Sequence, residues 1–207
     1  MNEDNYSYIR FLNAIPDDHN YDIYINGRPI VKDLSYKEFS NYLKAYPGLY
    51  RLQIFVSGDT KTPVFDNDFL IEPNKIYTAA LAIDKATFYL DLIEDIPHIS
   101  APNSTYMRFI NLSPSPGSIE VLVDNTPIIS SLNHLQASDY LLLPPGKHSI
   151  QIRDPETKKT FAMHPGVNLK DSNYYATYFV GTTNGEGPKS EILIPLEGAS
   201  YLDMGKN

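Results

Sequence analysis

The 207-residue chain carries a formal charge of −8 and 42% hydrophobic residues, an ordinary globular composition at a length that suits one or two domains. Its negative field repels phosphate backbones and anionic membrane surfaces, so nucleic acid is not an expected partner. The absence of cysteine excludes disulfides, thiolate metal sites and cysteine nucleophiles.

Residues 1–6 show no basic, apolar-cored leader, and no run of about 18 apolar residues follows anywhere. The expectation is a chain without a membrane span. It is cytoplasmic by default, with the cell envelope or spore surface as the other address if the sequence is trimmed or delivery is non-classical.

The first legible element, Tyr8-Ile9-Arg10-Phe11-Leu12-Asn13, returns as Tyr106-Met107-Arg108-Phe109-Ile110-Asn111, an offset of 98. The same offset carries Pro16 to Pro114, Pro29-Ile30 to Pro127-Ile128, Tyr42-Leu43 to Tyr140-Leu141 and Gln53-Ile54 to Gln151-Ile152. Next comes Tyr21-Asp22-Ile23-Tyr24-Ile25-Asn26, which alternates with Tyr21, Ile23 and Ile25 on one face; 119–124 alternates in phase with it. Period two over six residues marks a half-buried strand. Asn26-Gly27, and Asp124-Asn125 after it, tolerate the positive φ that a tight hairpin needs. Residues 35–42 could form one short helical turn. Pro47-Gly48 and Pro145-Gly146 make the next turn, followed by Tyr50, Leu52 and Ile54 and by His148, Ile150 and Ile152 at period two.

Past residue 54 the correspondence loosens, with Thr60-Lys61 answering Thr157-Lys158 and Tyr77 answering Tyr174 or Tyr175. Apolar runs at 69–71, 76–83 and 88–93 supply the remaining strands of copy one, and those at 167–169, 174–180 and 192–196 the remaining strands of copy two. The expected fold is all-β: two tandem antiparallel β-sandwich domains of immunoglobulin-like type, each with six to eight short strands. The expected boundaries are 6–96 for repeat 1, 97–105 for a linker, 106–198 for repeat 2 and 199–207 for a tail.

The Arg10-Phe11-Leu12-Asn13-Ala14-Ile15-Pro16-Asp17 segment, the Tyr21-Asp22-Ile23-Tyr24-Ile25-Asn26-Gly27 segment and the Pro47-Gly48-Leu49-Tyr50 turn resemble the bacterial family called domain of unknown function 4397. Copy two departs from its pattern, with Ser115 for Asp17 and Leu122 for Tyr24. The resemblance implies tandem domains, often of envelope or secreted proteins, and brings no catalytic residues.

The residues themselves offer no H-E-x-x-H, G-x-S-x-G, P-loop or G-x-G-x-x-G motif, so no catalytic site, metal site or cofactor is expected. Asn184-Gly185-Glu186-Gly187-Pro188 reads as a hairpin loop. Asp17-Asp18-His19 and Asp66-Asn67-Asp68 read as solvated loop clusters, and Arg10 and Arg108 as outward arginines paired with Asp22 or Glu120 on the next strand. His148 stands at an inward position.

Tyrosine is the unusual excess, at 16 residues. The phase of its strand puts Tyr24 on the outer face, with Leu122 at the matching place in copy two. The candidate interaction surface is therefore Asp17, Asp18, Tyr24, Tyr46 and Leu122. The expected function is a non-catalytic structural or protein-interaction module of envelope or spore-layer type. The alternative is a carbohydrate-binding module that uses exposed tyrosines.

Overall fold

A computed structural model describes residues 5–96 and 103–202. Residues up to 96 form one compact unit and residues 103–201 another. Copy one has eight strands: β1 (Ser7–Asn13), β2 (Tyr21–Ile25), β3 (Arg28–Leu34), β4 (Leu43–Ala45), β5 (Gly48–Val56), β6 (Phe65–Ile71), β7 (Ile76–Asp84) and β8 (Thr87–Glu94). Copy two has nine: β9 (Thr105–Asn111), β10 (Ser118–Val123), β11 (Thr126–Asn133), β12 (Gln136–Ala137), β13 (Leu141–Leu143), β14 (Gly146–Arg153), β15 (Thr160–Leu169), β16 (Tyr174–Val180) and β17 (Glu191–Leu193). Among the described residues, no helix is long and apolar enough to cross a membrane.

Each copy is a sandwich of two sheets. In copy one the orders are β4-β1-β7-β8 and β3-β2-β5-β6; in copy two β9 and β16 lie centrally in one sheet and β10 and β14 in the other. The alternation seen in the sequence is what closes the core. Tyr21, Ile23, Leu52 and Ile54 from one sheet meet Ile9, Phe11, Ala79 and Leu81 from the other, all buried. Met107, Phe109, Ile119, Val121, Ile150 and Ile152 repeat the arrangement. The named strands pair antiparallel except that β1 runs parallel to β7 and β9 parallel to β16.

The exact repeat has a hydrogen-bonding reason. The Asn13 amide donates to Leu34 O at 3.1 Å while its Oδ1 accepts from Ile15 N, and Asn111 does the same with Leu132 O and Ser113 N. Ser40 Oγ accepts from Phe11 N, and Ser138 Oγ from Phe109 N. These side chains satisfy buried backbone groups that the sheets leave unpaired, so they hold their positions as strictly as core residues do.

The apparent slip past residue 54 cancels itself. The turn before β15 is two residues shorter than that before β6, but two bulges in the β14–β15 pairing add both back. Gly48 faces Ile71 and Gly146 faces Leu169, again 98 apart. Ile9 faces Tyr77 and Met107 faces Tyr175, which makes Tyr175 the counterpart of Tyr77.

Several expectations are corrected. Residues 35–42 form no helical turn; Lys37 takes a left-handed φ of 68° in a tight turn, and Glu38 Oε2 accepts from Ser35 N. Asp66-Asn67-Asp68 lies within β6, where Asp66 takes two bonds from Arg51. Thr105, read as linker, already belongs to β9, and the rest of that linker up to 102 lies outside the described residues. Ser200, read as tail, bonds both N and O of Tyr174 in a 3-10 turn, Gly198–Ser200.

Arg10 and Arg108 do not pair with Asp22 and Glu120, which belong to the opposite sheet. Arg10 is buried, with Nε donating to Thr78 Oγ1 at 2.9 Å and its guanidinium 4.7 Å from the ring centroids of both Phe39 and Tyr42. Arg108 is buried against Glu197 and over the Tyr140 ring. Tyr42 donates to Asp95 as Tyr140 donates to Glu197, so in each copy a half-buried tyrosine lies against a buried arginine and bonds a buried late carboxylate. Glu120 instead pairs with Arg153 and Lys158, while Asp22 accepts from Ser57 Oγ and Asp33 N.

Candidate functional site

The two sheets of copy one part along the edge where β3 and β4 lie. Neither strand has a neighbour on its outer side. A groove of about 630 Å³ opens there. Ile9, Ile25, Ile30 and Leu43 form an apolar floor, and Asn26, Arg28, Lys44, Tyr46 and Tyr50 surround it. A second depression of about 340 Å³, which shares Ile30 and Leu43, continues it along β3 toward Leu34 and Phe39.

Each part of this rim follows from local sequence. Asn26 and Gly27 turn the β2–β3 hairpin at φ of 50° and 73°, which sets Arg28 opposite Ile25 on the inner face. Asn26 Oδ1 accepts from Arg51 N at 2.9 Å and ties the turn to β5. Pro47 ends β4 and passes the chain to β5 in the other sheet, leaving Tyr46 at the corner with 57% of its surface exposed. The Tyr50 hydroxyl donates to Tyr46 O at 2.8 Å and so fixes that corner. Lys44 Nζ sits 3.4 Å from the Tyr6 ring centroid. Ala45, being small, keeps the groove open.

Beside the corner, Leu49 and Leu70 face each other across β5 and β6. Both point outward and remain 67% and 56% exposed. Tyr46, three residues before Leu49 across the Pro47-Gly48 turn, is exposed as well, and exposed apolar side chains gathered in this way mark interaction surfaces. Leu49 and Leu70 escape a motif-based reading. The signal for them is phase: each stands one residue out of step with inward neighbours, Tyr50 and Leu52 for the first, Phe69 and Ile71 for the second.

Copy two keeps an apolar floor, with Met107, Val123, Ile128 and Leu141, and changes the residues around it. Thr126 stands for Arg28, Leu142 for Lys44, Leu143 for Ala45, Pro144 for Tyr46, Lys147 for Leu49 and Asn168 for Leu70. The corner bond persists in other chemistry, since His148 Nε2 donates to Pro144 O at 2.8 Å. His148 Nδ1 is hydrogen-bonded to Asp124 Oδ2 at 2.6 Å, in the place where copy one has Tyr50 and Asn26. The Ser149 amide, followed by His148, holds the Asp124 carboxyl below the usual carboxylate range.

Of the sequence-predicted surface, Tyr46 alone lies at the groove. Asp17 is half-buried and serves the fold, because its Oδ2 accepts from the buried Tyr21 hydroxyl at 2.7 Å. Burial, then Asp17, raises the Tyr21 hydroxyl's pKa, so it stays a donor. Copy two has Ile119 for Tyr21 and therefore needs no carboxylate at Ser115. Asp18 is exposed beside it. Tyr24 does point outward, but it is half-buried and its ring packs edge-on against Phe55 at 5.1 Å. Leu122 is 2% exposed, which corrects its placing on an accessible face. Asn184 to Pro188 lies in the connection between antiparallel β16 and β17. Among the described residues, no three His, Asp or Glu side chains gather as metal ligands would.

The tandem folds match a known family twice. The family described as Domain of unknown function (DUF4397) matches residues 7–122 and 105–194. The chain belongs to this family. The second DUF4397 match covers β9 to β17, and the first runs past copy one into β10. Comparison with curated proteins finds no match. Among solved structures, the chain is similar to a streptococcal virulence factor described in terms of alpha-glucan binding, at 10% identity and a TM-score of 0.29, covering 95% of this chain and 99% of that one. It is also similar to a family CBM26 module from Eubacterium rectale Amy13K solved with maltoheptaose, at 12% identity and a TM-score of 0.25, covering 92% and 96%.

Proposed function

We propose that this DUF4397 protein is a non-catalytic protein-interaction module, and that copy one docks the partner at its β3–β4 end while copy two serves as scaffold. The carrying observation is the asymmetry between the copies: Tyr46, Leu49 and Leu70 are exposed together in copy one, and Pro144, Lys147 and Asn168 replace them. Tyrosine beside arginine and exposed aliphatic residues suits a protein interface. The groove collects apolar, aromatic and basic side chains, which favours binding over proton transfer. The setting we propose is a bacterial envelope or spore-layer assembly, in line with the family resemblance.

The exposed Tyr46 ring also suits a second reading, stacking on a sugar. The adjacent Leu49–Leu70 pair offers a sugar no aromatic face, so protein is the first reading. Affinity capture from the source cell, run beside a glycan array, separates the two. A saturable protein partner and a blank array support the first reading. Array binding that Tyr46→Ala removes would replace it with the second.

A further inference from the structure

The geometry points to the class of partner that the copy-one groove takes: an extended, acidic–apolar peptide segment of about six residues. This rests on the reading of copy one as the docking unit and adds the chemistry of what enters it. Three features carry it.

The first is charge. Arg28 faces Ile25 on the inner side at the mouth of the groove, and no carboxylate among the described residues pairs with it. In a chain of net charge −8, an unpaired arginine over an apolar floor is a local complement to a carboxylate, which it can bind through two parallel bonds. Copy two has Thr126 in its place.

The second is a free backbone edge. Tyr8 N donates to Lys75 O at 2.9 Å, so the backbone groups of Tyr8 turn toward β7. Lys44 stands opposite Tyr8 in the antiparallel β1–β4 pair. Its N–H and C=O therefore turn away from β1, to the open side of β4, where an extended peptide can bond them. β4 is only three residues long, so the groove holds a short segment and does not template open-ended sheet growth.

The third is shape. The two depressions join at Ile30 and Leu43 and follow β3, whose seven residues span roughly 20 Å at 3.3 Å per residue. An open trough of that length suits a strand of alternating side chains. Apolar residues would face Ile9, Ile25, Ile30 and Leu43, and an acidic one Arg28.

The test is fluorescence anisotropy on the full chain, using three end-capped, fluorescein-labelled hexapeptides that alternate leucine with glutamate, glutamine or lysine. The glutamate peptide is expected to bind roughly ten-fold more tightly than the glutamine peptide at low salt, and the lysine peptide more weakly still. Arg28→Gln, at an exposed position, is expected to erase the glutamate preference without altering the fold. Ala45→Leu, which installs the residue copy two already carries, is expected to abolish binding of all three. Equal binding of the three peptides, a preference that survives Arg28→Gln, or no peptide binding at all would overturn the inference. Capture of a protein partner that persists in any of those cases leaves the interaction reading standing and removes only the peptide chemistry. Loss of both removes both.

Discussion

Arg108 Nε donates to Glu197 Oε1 at 2.7 Å, joining β9 to a residue 89 positions later in a site where Glu197 has no exposed surface. The bond clips the segment that follows β17 onto the first strand of copy two, and Tyr140 adds a second donor to the same carboxylate. Removing one member of a buried pair leaves the other charged and unsolvated, at a cost of about 3–5 kcal/mol. Glu197→Ala is therefore expected to destabilise copy two by an amount in that range, read as a lower urea midpoint. Arg108→Met combined with Glu197→Leu is expected to recover most of it. Tyrosine fluorescence against urea measures both.

Asp17 and Tyr21 form a second dependent pair. Asp17→Ala strands a buried hydroxyl, which costs about 1–3 kcal/mol. Tyr21→Phe removes the hydroxyl and with it the need for the carboxylate. The double variant is expected to be less destabilised than the sum of the single ones, as a double-mutant cycle reads directly. Additivity would show that Asp17 contributes nothing through Tyr21.

Copy two is expected to weaken in acid. Arg153 holds the Glu120 carboxyl below its usual range, and the Ser149 amide does the same for Asp124. A carboxylate depressed in the folded state stabilises fully above its unfolded pKa, and the gain is lost as pH falls through the lower, folded value. Stability should thus be level above about pH 5 and decline below it. Glu120→Gln should lower the plateau and flatten the decline. Urea midpoints measured from pH 7 down to 2 give the curve.

Much of the architecture is legible in the sequence because the same residues do the same physical work twice. The alternation of Tyr21, Ile23 and Ile25 reappears in 119–123, and Asn13 and Asn111 bond equivalent backbone atoms. The clusters of arginine, tyrosine and late carboxylate are not legible. Asp95 lies 85 positions after Arg10 and Glu197 lies 89 after Arg108, because the β16–β17 connection is longer than the Lys85-Ala86 turn. An offset of 98 therefore never aligns the two carboxylates. The groove was half legible. Tyr46 stands out as an aromatic at a turn, whereas Leu49 and Leu70 look like core residues until their phase is set against the strand. Asp17 draws notice as a difference between copies, yet it only follows the change from Tyr21 to Ile119.

The central claim is that the exposed end of copy one, and not copy two, receives the partner. Its most direct measurement is affinity capture with the full chain bearing Tyr46→Pro, Leu49→Lys and Leu70→Asn, the residues that copy two carries at those places. The account predicts an unchanged melting profile and loss of the captured partner. Undiminished capture by that folded variant would contradict it.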